Sequence, residues 1–230
     1  MKQKSAVPLI LKSIKDKAIV KKEIFKKTLS TFNELKSVLK ELQQELQEKI
    51  HKIDPEIQVE YKDRGKFEVE FRIADDVLVF WMHSDVFTFD SEHSIWKTSY
   101  VDDDKTRTFC GMITFYNFLS DSFKYNRVND LGYMIARLFL NKDMHYFVEG
   151  KRQLGFLYND FDHSTLDRNS LRAVLESAIL YSLEFDLFSP PYEEMKQISV
   201  SEIIEATANL KISTGKRLGF RFQADDDNIE

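Results

Sequence analysis

From residue 7 to residue 53 apolar side chains recur at helical spacing. Phe25, Leu29, Phe32, Leu35, Leu39, Leu42, Leu46 and Ile53 follow three- and four-residue steps, and neither Gly nor Pro interrupts between Leu9 and Asp54. A period near seven, held over about four repeats, predicts the seam of a coiled coil or of a helical arm packed on a body. Lys21-Lys22 breaks the stripe, so two helices meeting near residues 18–23 would also satisfy it. Asp54-Pro55 ends the helix, because the residue before proline avoids the helical region.

The period then changes to two. Ile57, Val59 and Tyr61 alternate with polar residues, as do Phe67, Val69, Phe71 and Ile73, with Asp63-Arg64-Gly65 between the runs. Alternation is the mark of a half-buried strand, and a short Gly-ended loop suits a hairpin with a bulge. Residues 77–82 are apolar on both faces and predict a central strand, with Val86, Phe87 and Phe89 extending the meander. Residues 90–107, including Trp96 and Asp102-Asp103-Asp104, read as a loop, and 108–123 fits helix and strand equally. Asn129-Asp130 is expected to cap a helix to about residue 141 that buries Leu131, Met134, Ile135, Leu138 and Phe139. A second hairpin is expected from 144–148 and 154–158 around Gly150-Lys151-Arg152, then a helix from Ser164 or Thr165 to about residue 185. Ser189-Pro190-Pro191 closes that region, and a short helix over 200–209 and a strand over 218–222 follow. Without regular strand–helix–strand alternation, the fold class is α+β: an antiparallel β-meander packed with helices, preceded by a long basic amphipathic N-terminal helix. The expected division is an arm (1–54), a body (55–224) and an acidic tail (225–230).

Charge sharpens that division. The chain of 230 residues has a net charge of −5. Residues 1–53 hold 13 lysines and 6 acidic residues, a surplus of seven positive charges, which leaves 20 basic and 32 acidic residues elsewhere, a deficit of twelve. An asymmetry of this kind marks either an interaction arm or the wet face of a packed helix. With 43% apolar and 31% charged residues the composition is that of a soluble globule. One cysteine, Cys110, excludes an internal disulfide framework and a multi-cysteine zinc site. No apolar run approaches the ~18 residues of a membrane span, and no secretory leader is visible, so a reducing, cytoplasmic setting is expected.

Candidate chemistry is sparse. Gly150-Lys151-Arg152 and Gly215-Lys216-Arg217 repeat a short basic turn. If the turns met, Lys151, Arg152, Lys216 and Arg217 would offer four cations to a phosphate-bearing ligand; the bland alternative is two solvated hairpin tips. His83, Asp85, Asp90 and His93 have the ligand types for a divalent metal with open positions for water. Asp160, Asp162, His163 and Asp167 form a second such group, in a segment that also suits capping and turns. Asp54, Glu60 and Lys62 carry the letters of a metal-dependent nuclease site, yet Glu60 and Lys62 fall on the wet face of the first hairpin. Cys110, between Phe109 and Gly111, reads as a small core residue. The dense aromatics of 115–125 read chiefly as packing, with Lys124 and Arg127 near enough to share a stacking surface. No Gly-x-Ser-x-Gly or Gly-x-Gly-x-x-Gly pattern is present. The expectation is therefore a non-enzymatic cytoplasmic interaction or adaptor subunit, paired with a protein partner or with itself through residues 25–53. The alternatives are a nucleic-acid or phosphate-ligand binder using the Gly-Lys-Arg turns, and a metal-dependent hydrolase or nuclease.

Overall fold

The computed structural model describes residues 5–186, 189, 191–201 and 203–204. The expected strand at 218–222, most of the expected helix at 200–209 and the tail at 225–230 lie outside the described residues. The N-terminal run is one helical rod: α1 (Val7–Ser13) passes through a π-helical stretch (Ile14–Ile19) into α2 (Val20–His51). Two helices do not meet at Lys21-Lys22. The register change is taken up by the wider π turns just before that pair, so the rod continues without a break. Beyond α2 the turn closes with Ile53 and Asp54 N–H donating to the Ile50 carbonyl, and Asp54-Pro55 follows.

α2 buries one stripe: Ile24, Thr28, Thr31, Phe32, Leu35, Val38, Leu39 and Leu42. The stripe lies on the sheet of its own chain, within a single core that includes Phe71, Phe80, Phe115 and Leu138. The helix is thus packed on the body, and the seam that suggested a coiled coil is occupied within the molecule. At Gly111 the sheet leaves no room for a side chain beneath α2, since an added Cβ would overlap the Thr28 side chain.

The sheet has six strands in sequence order, every pair antiparallel: β1 (Val59–Gly65), β2 (Glu68–Ile73), β3 (Asp76–Met82), β4 (Cys110–Leu119), β5 (Tyr133–Asn141) and β6 (Tyr146–Gly150). In the first hairpin the register shifts between Asp63 and Gly65, and Gly65 takes φ 122°, a conformation that suits glycine. Asp63 stabilises the bulge by accepting from Gly65 N–H at 2.9 Å. In β3, Leu78, Phe80 and Met82 join the core beneath the helices, whereas Trp81 faces the other way and is 42% exposed, so this strand is not covered on both sides throughout.

The ambiguous stretch 108–123 is mainly strand β4, ended by the short helix α4 (Ser120–Lys124). The helix expected over 129–141 is instead strand β5. A strand buried on both faces presents nearly continuous apolar residues, and such a run contains three- and four-residue spacings by chance. Asn129-Asp130 does not cap it; Asp130 accepts from the Ser122 hydroxyl at 2.7 Å. The second hairpin is also displaced. β6 pairs with β5 across a turn at 142–144, where Asn141 accepts from Asp143 and His145 N–H, while 153–157 form a one-turn helix, α5 (Gln153–Leu157). Helix α6 (Arg168–Leu183) starts later than expected because Asp167 is its cap, accepting from Ser170 N–H at 2.7 Å. It lies beside α2, with Arg168 paired to Glu34 and Glu41 and Arg172 to Glu45.

On the sheet's second face the segment 83–109 covers one end. It contributes Ile95 and Val101 to a smaller cluster with Cys110, Met112, Phe139, Phe147 and Phe161. Its helical pieces include α3 (Ser99–Asp103), and only Phe87, bridged to Cys110, continues the meander.

Candidate functional site

Two features of the described residues carry candidate chemistry. The first is the rod's beginning. α1 and the π stretch bury nothing. Val7, Leu9, Ile10, Leu11, Ile14 and Ile19 are 47–71% exposed. Val7, Ile10, Leu11 and Ile14 have the i, i+3, i+4, i+7 spacing that places them on one helix face. Lys12, Lys15, Lys17, Lys21 and Lys22 accompany them, against the single acid Asp16. Lys21 already leans on the body, its ammonium 5.3 Å from the centre of the Phe109 ring. The other four are exposed.

The second feature is a cleft of about 290 Å³ between the 93–98 turn and residues 159–163. It brings His93, from the first histidine–acid group, to Asp160, Asp162 and His163 of the second. His93 is held on both sides: Nδ1 accepts from Ile95 N–H at 3.2 Å, capping the turn Ser94–Lys97, and Nε2 faces Glu149 at 3.3 Å. Because Nδ1 is an acceptor, the ring carries its proton on Nε2 and donates to Glu149, whose other oxygen takes Arg137. Both nitrogens are engaged, so His93 fits a capping role better than that of a ligand or base. His163 differs. Its Nδ1 stands 3.0 Å from Asp160 in an exposed pair, and its side chain is 82% exposed. The hydrogen bond with Asp160 raises the His163 pKa, and the same bond lowers that of Asp160. Asp162 Oδ1 is buried without a hydrogen-bond partner among the described residues.

The rest of the first group is placed elsewhere. The His83 ring packs on Trp81 at 4.4 Å and on Phe87 at 5.5 Å. Burial lowers its pKa against the opposing pull of Asp85. Asp90 accepts from Glu92 N–H at 2.9 Å, an Asx turn that shapes the loop. Among the described residues no three His, Cys, Asp or Glu side chains are arranged to hold a metal ion.

The first Gly-Lys-Arg turn follows β6. A Cβ on Gly150 would meet that of Leu154 at 2.7 Å, and one on Gly155 would overlap the Gly150 carbonyl oxygen. The glycines therefore let α5 close against the strand. Lys151 N–H donates to the Ile135 carbonyl at 3.1 Å, and the Arg152 guanidinium lies 6.0 Å from the centre of the Tyr181 ring. Lys216 and Arg217 lie outside the described residues. Of the nuclease letters, Glu60 pairs with Arg72 at 3.6 Å and Asp54 takes Glu56 N–H. Cys110 is buried, which pushes its thiol pKa far up. Lys124 and Arg127 cover Tyr125, with distances of 5.3 and 5.7 Å to the ring centre.

The sequence reading missed the apolar stripe of 7–14, although its spacing was visible, because the longer seam that follows dominates the periodicity. It also missed Glu149 as the partner of His93 and Arg137 as the partner of Glu149, and no local signal joins residues so far apart in the chain. The chain matches no known protein family, no curated protein and no solved structure.

Proposed function

We propose that this protein is a non-enzymatic interaction subunit that docks through residues 7–19 instead of 25–53. The observation that carries the reading is the exposed aliphatic stripe of Val7, Ile10, Leu11 and Ile14 on a helix continuous with the core. Six exposed large apolar residues within a thirteen-residue span exceed the scattered single residues normal on a surface. The arm starts from α2, which lies on the sheet, but has no buried side chain of its own, so the surface it docks on supplies the support that the body does not. The acidic body is what the arm positions.

The test places a photo-crosslinking side chain at Leu11, on the stripe, in the full chain and irradiates cells that express it. An adduct with protein or lipid is expected, lost in the Ile10→Glu/Ile14→Glu double variant. An arm that crosslinks to nothing, or that crosslinks equally in the double variant, refutes docking through this stripe.

A further inference from the structure

We propose that the surface this arm docks on is an anionic lipid bilayer, the helix lying in the headgroup plane with Val7, Ile10, Leu11 and Ile14 turned toward the acyl chains. This rests on the docking reading above and adds the identity of the docked surface.

Three properties of residues 7–22 select lipid. The apolar stripe is wholly aliphatic, and the segment contains neither arginine nor an aromatic residue. Protein interfaces are anchored by Trp, Tyr and Arg seated in shaped pockets, and none is available here. A bilayer makes no such demand, because it has no fixed pocket to match. The cations are all lysine, a compact charge without the fork that reads one carboxylate or one base edge. Lysines at the rim of an aliphatic face suit a diffuse field of lipid phosphates. A nucleic-acid strand would answer the lysines but leave the stripe in water.

The third property is the distribution of charge around the stripe. Residues 7–22 have five lysines against Asp16, while the chain beyond residue 53 carries the twelve-charge acidic deficit. Near a negatively charged surface this polarity turns the arm toward the membrane and the body away. The rod also has the right extent. Thirteen helical residues span roughly 20 Å, too short to cross the ~30 Å hydrocarbon layer but enough to lie on it. No helix among the described residues is long and apolar enough to cross a membrane.

The experiment is co-sedimentation of the full chain with vesicles of phosphatidylcholine and phosphatidylglycerol in equal parts, and with vesicles of phosphatidylcholine alone. The chain is expected to pellet with the first and not the second, and to be released as salt rises. Ile10→Glu/Ile14→Glu is expected to lower the partition coefficient at least tenfold. Lys12→Gln/Lys15→Gln/Lys17→Gln should lower it as well, with the unfolding midpoint of both variants unchanged because every altered residue is exposed. A wild-type chain that stays in the supernatant, binds both vesicles equally, or is matched by the aliphatic variant overturns the proposal. Failure here together with a protein adduct from position 11 overturns lipid and leaves the docking arm standing; failure of both removes the two readings together.

Discussion

Asp160 and His163 lie three residues apart in the turn before α6, and their geometry makes each the main cause of the other's altered proton affinity. The Asp160 pKa is lowered, so its contribution to stability is present above the ordinary carboxylate value and lost as pH falls through the lowered one. The His163 pKa is raised, so its contribution is complete below the ordinary value of 6.5 and lost as pH rises through the raised one. The ion pair therefore has a mildly acidic to near-neutral window. Because both groups are exposed, the effect on global stability is expected to be small, and the local titration is the better measure. A proton-detected titration of the His163 ring should give a midpoint above 6.5, and Asp160→Asn should return it toward that value. A His163 midpoint indifferent to Asp160→Asn would show that the 3.0 Å contact is not held in solution. His93, at the other side of the cleft, has both ring nitrogens engaged, so His163 is the imidazole there with a nitrogen facing solvent.

At the scale of elements the decisive comparison is β5, where helical and strand readings assign different burial. The helical reading puts Met134 and Leu138, four apart, on one buried stripe. In the strand the register slips at Ile135, because Phe115 faces Ala136 and Tyr116 faces Met134, so Met134 turns to the other face: Leu138 is fully buried, whereas Met134 is 44% exposed. Leu138→Ala should then cost about 2–5 kcal/mol, and Met134→Ala less than about 1 kcal/mol, in urea unfolding. Equal large losses at the two sites would restore the helix. The same comparison explains what the sequence made legible. β1 and β2 are half-wet strands, so Glu60, Lys62, Glu68 and Arg72 supply the polar half of an alternation that only a strand produces. α2 is likewise half-wet, and its lysines and glutamates expose its period. β5 is different: Ala136, Leu138 and Leu140 face the helices while Phe139 packs into the second cluster, and the polar phase that would reveal period two is mostly absent. The cleft was legible only in halves. His93 and the group at 160–163 meet because β5 and β6 pair and Phe147 and Phe161 pack together, and local periodicity carries neither fact.

For the molecule as a whole, one rod belongs to two environments. From Ile24 to Leu42 it is part of the core, with Ile24, Phe32, Leu35 and Leu39 fully buried. α2 cannot leave the sheet without exposing Phe71, Phe80 and Phe115, so helix and sheet should unfold together. From residue 7 to residue 19 the same rod has no buried side chain to hold it. A helix of about thirteen residues is marginal in water by itself, and here it is supported only through its junction with α2. Amide hydrogen exchange should therefore show a step along a continuous helix. Amides of the buried part are expected to exchange at the global unfolding limit, while those of 10–19 should exchange by local fraying, faster by orders of magnitude. The step should fall at the π stretch Ile14–Ile19, where the register changes and burial begins immediately afterwards. A protein dilute enough to be monomeric but uniformly protected from 10 to 42 would mean that the arm is held against the body, and the stripe would then not be available for docking. A step in dilute protein that disappears when anionic vesicles are added would locate the missing support of the arm in the surface it binds.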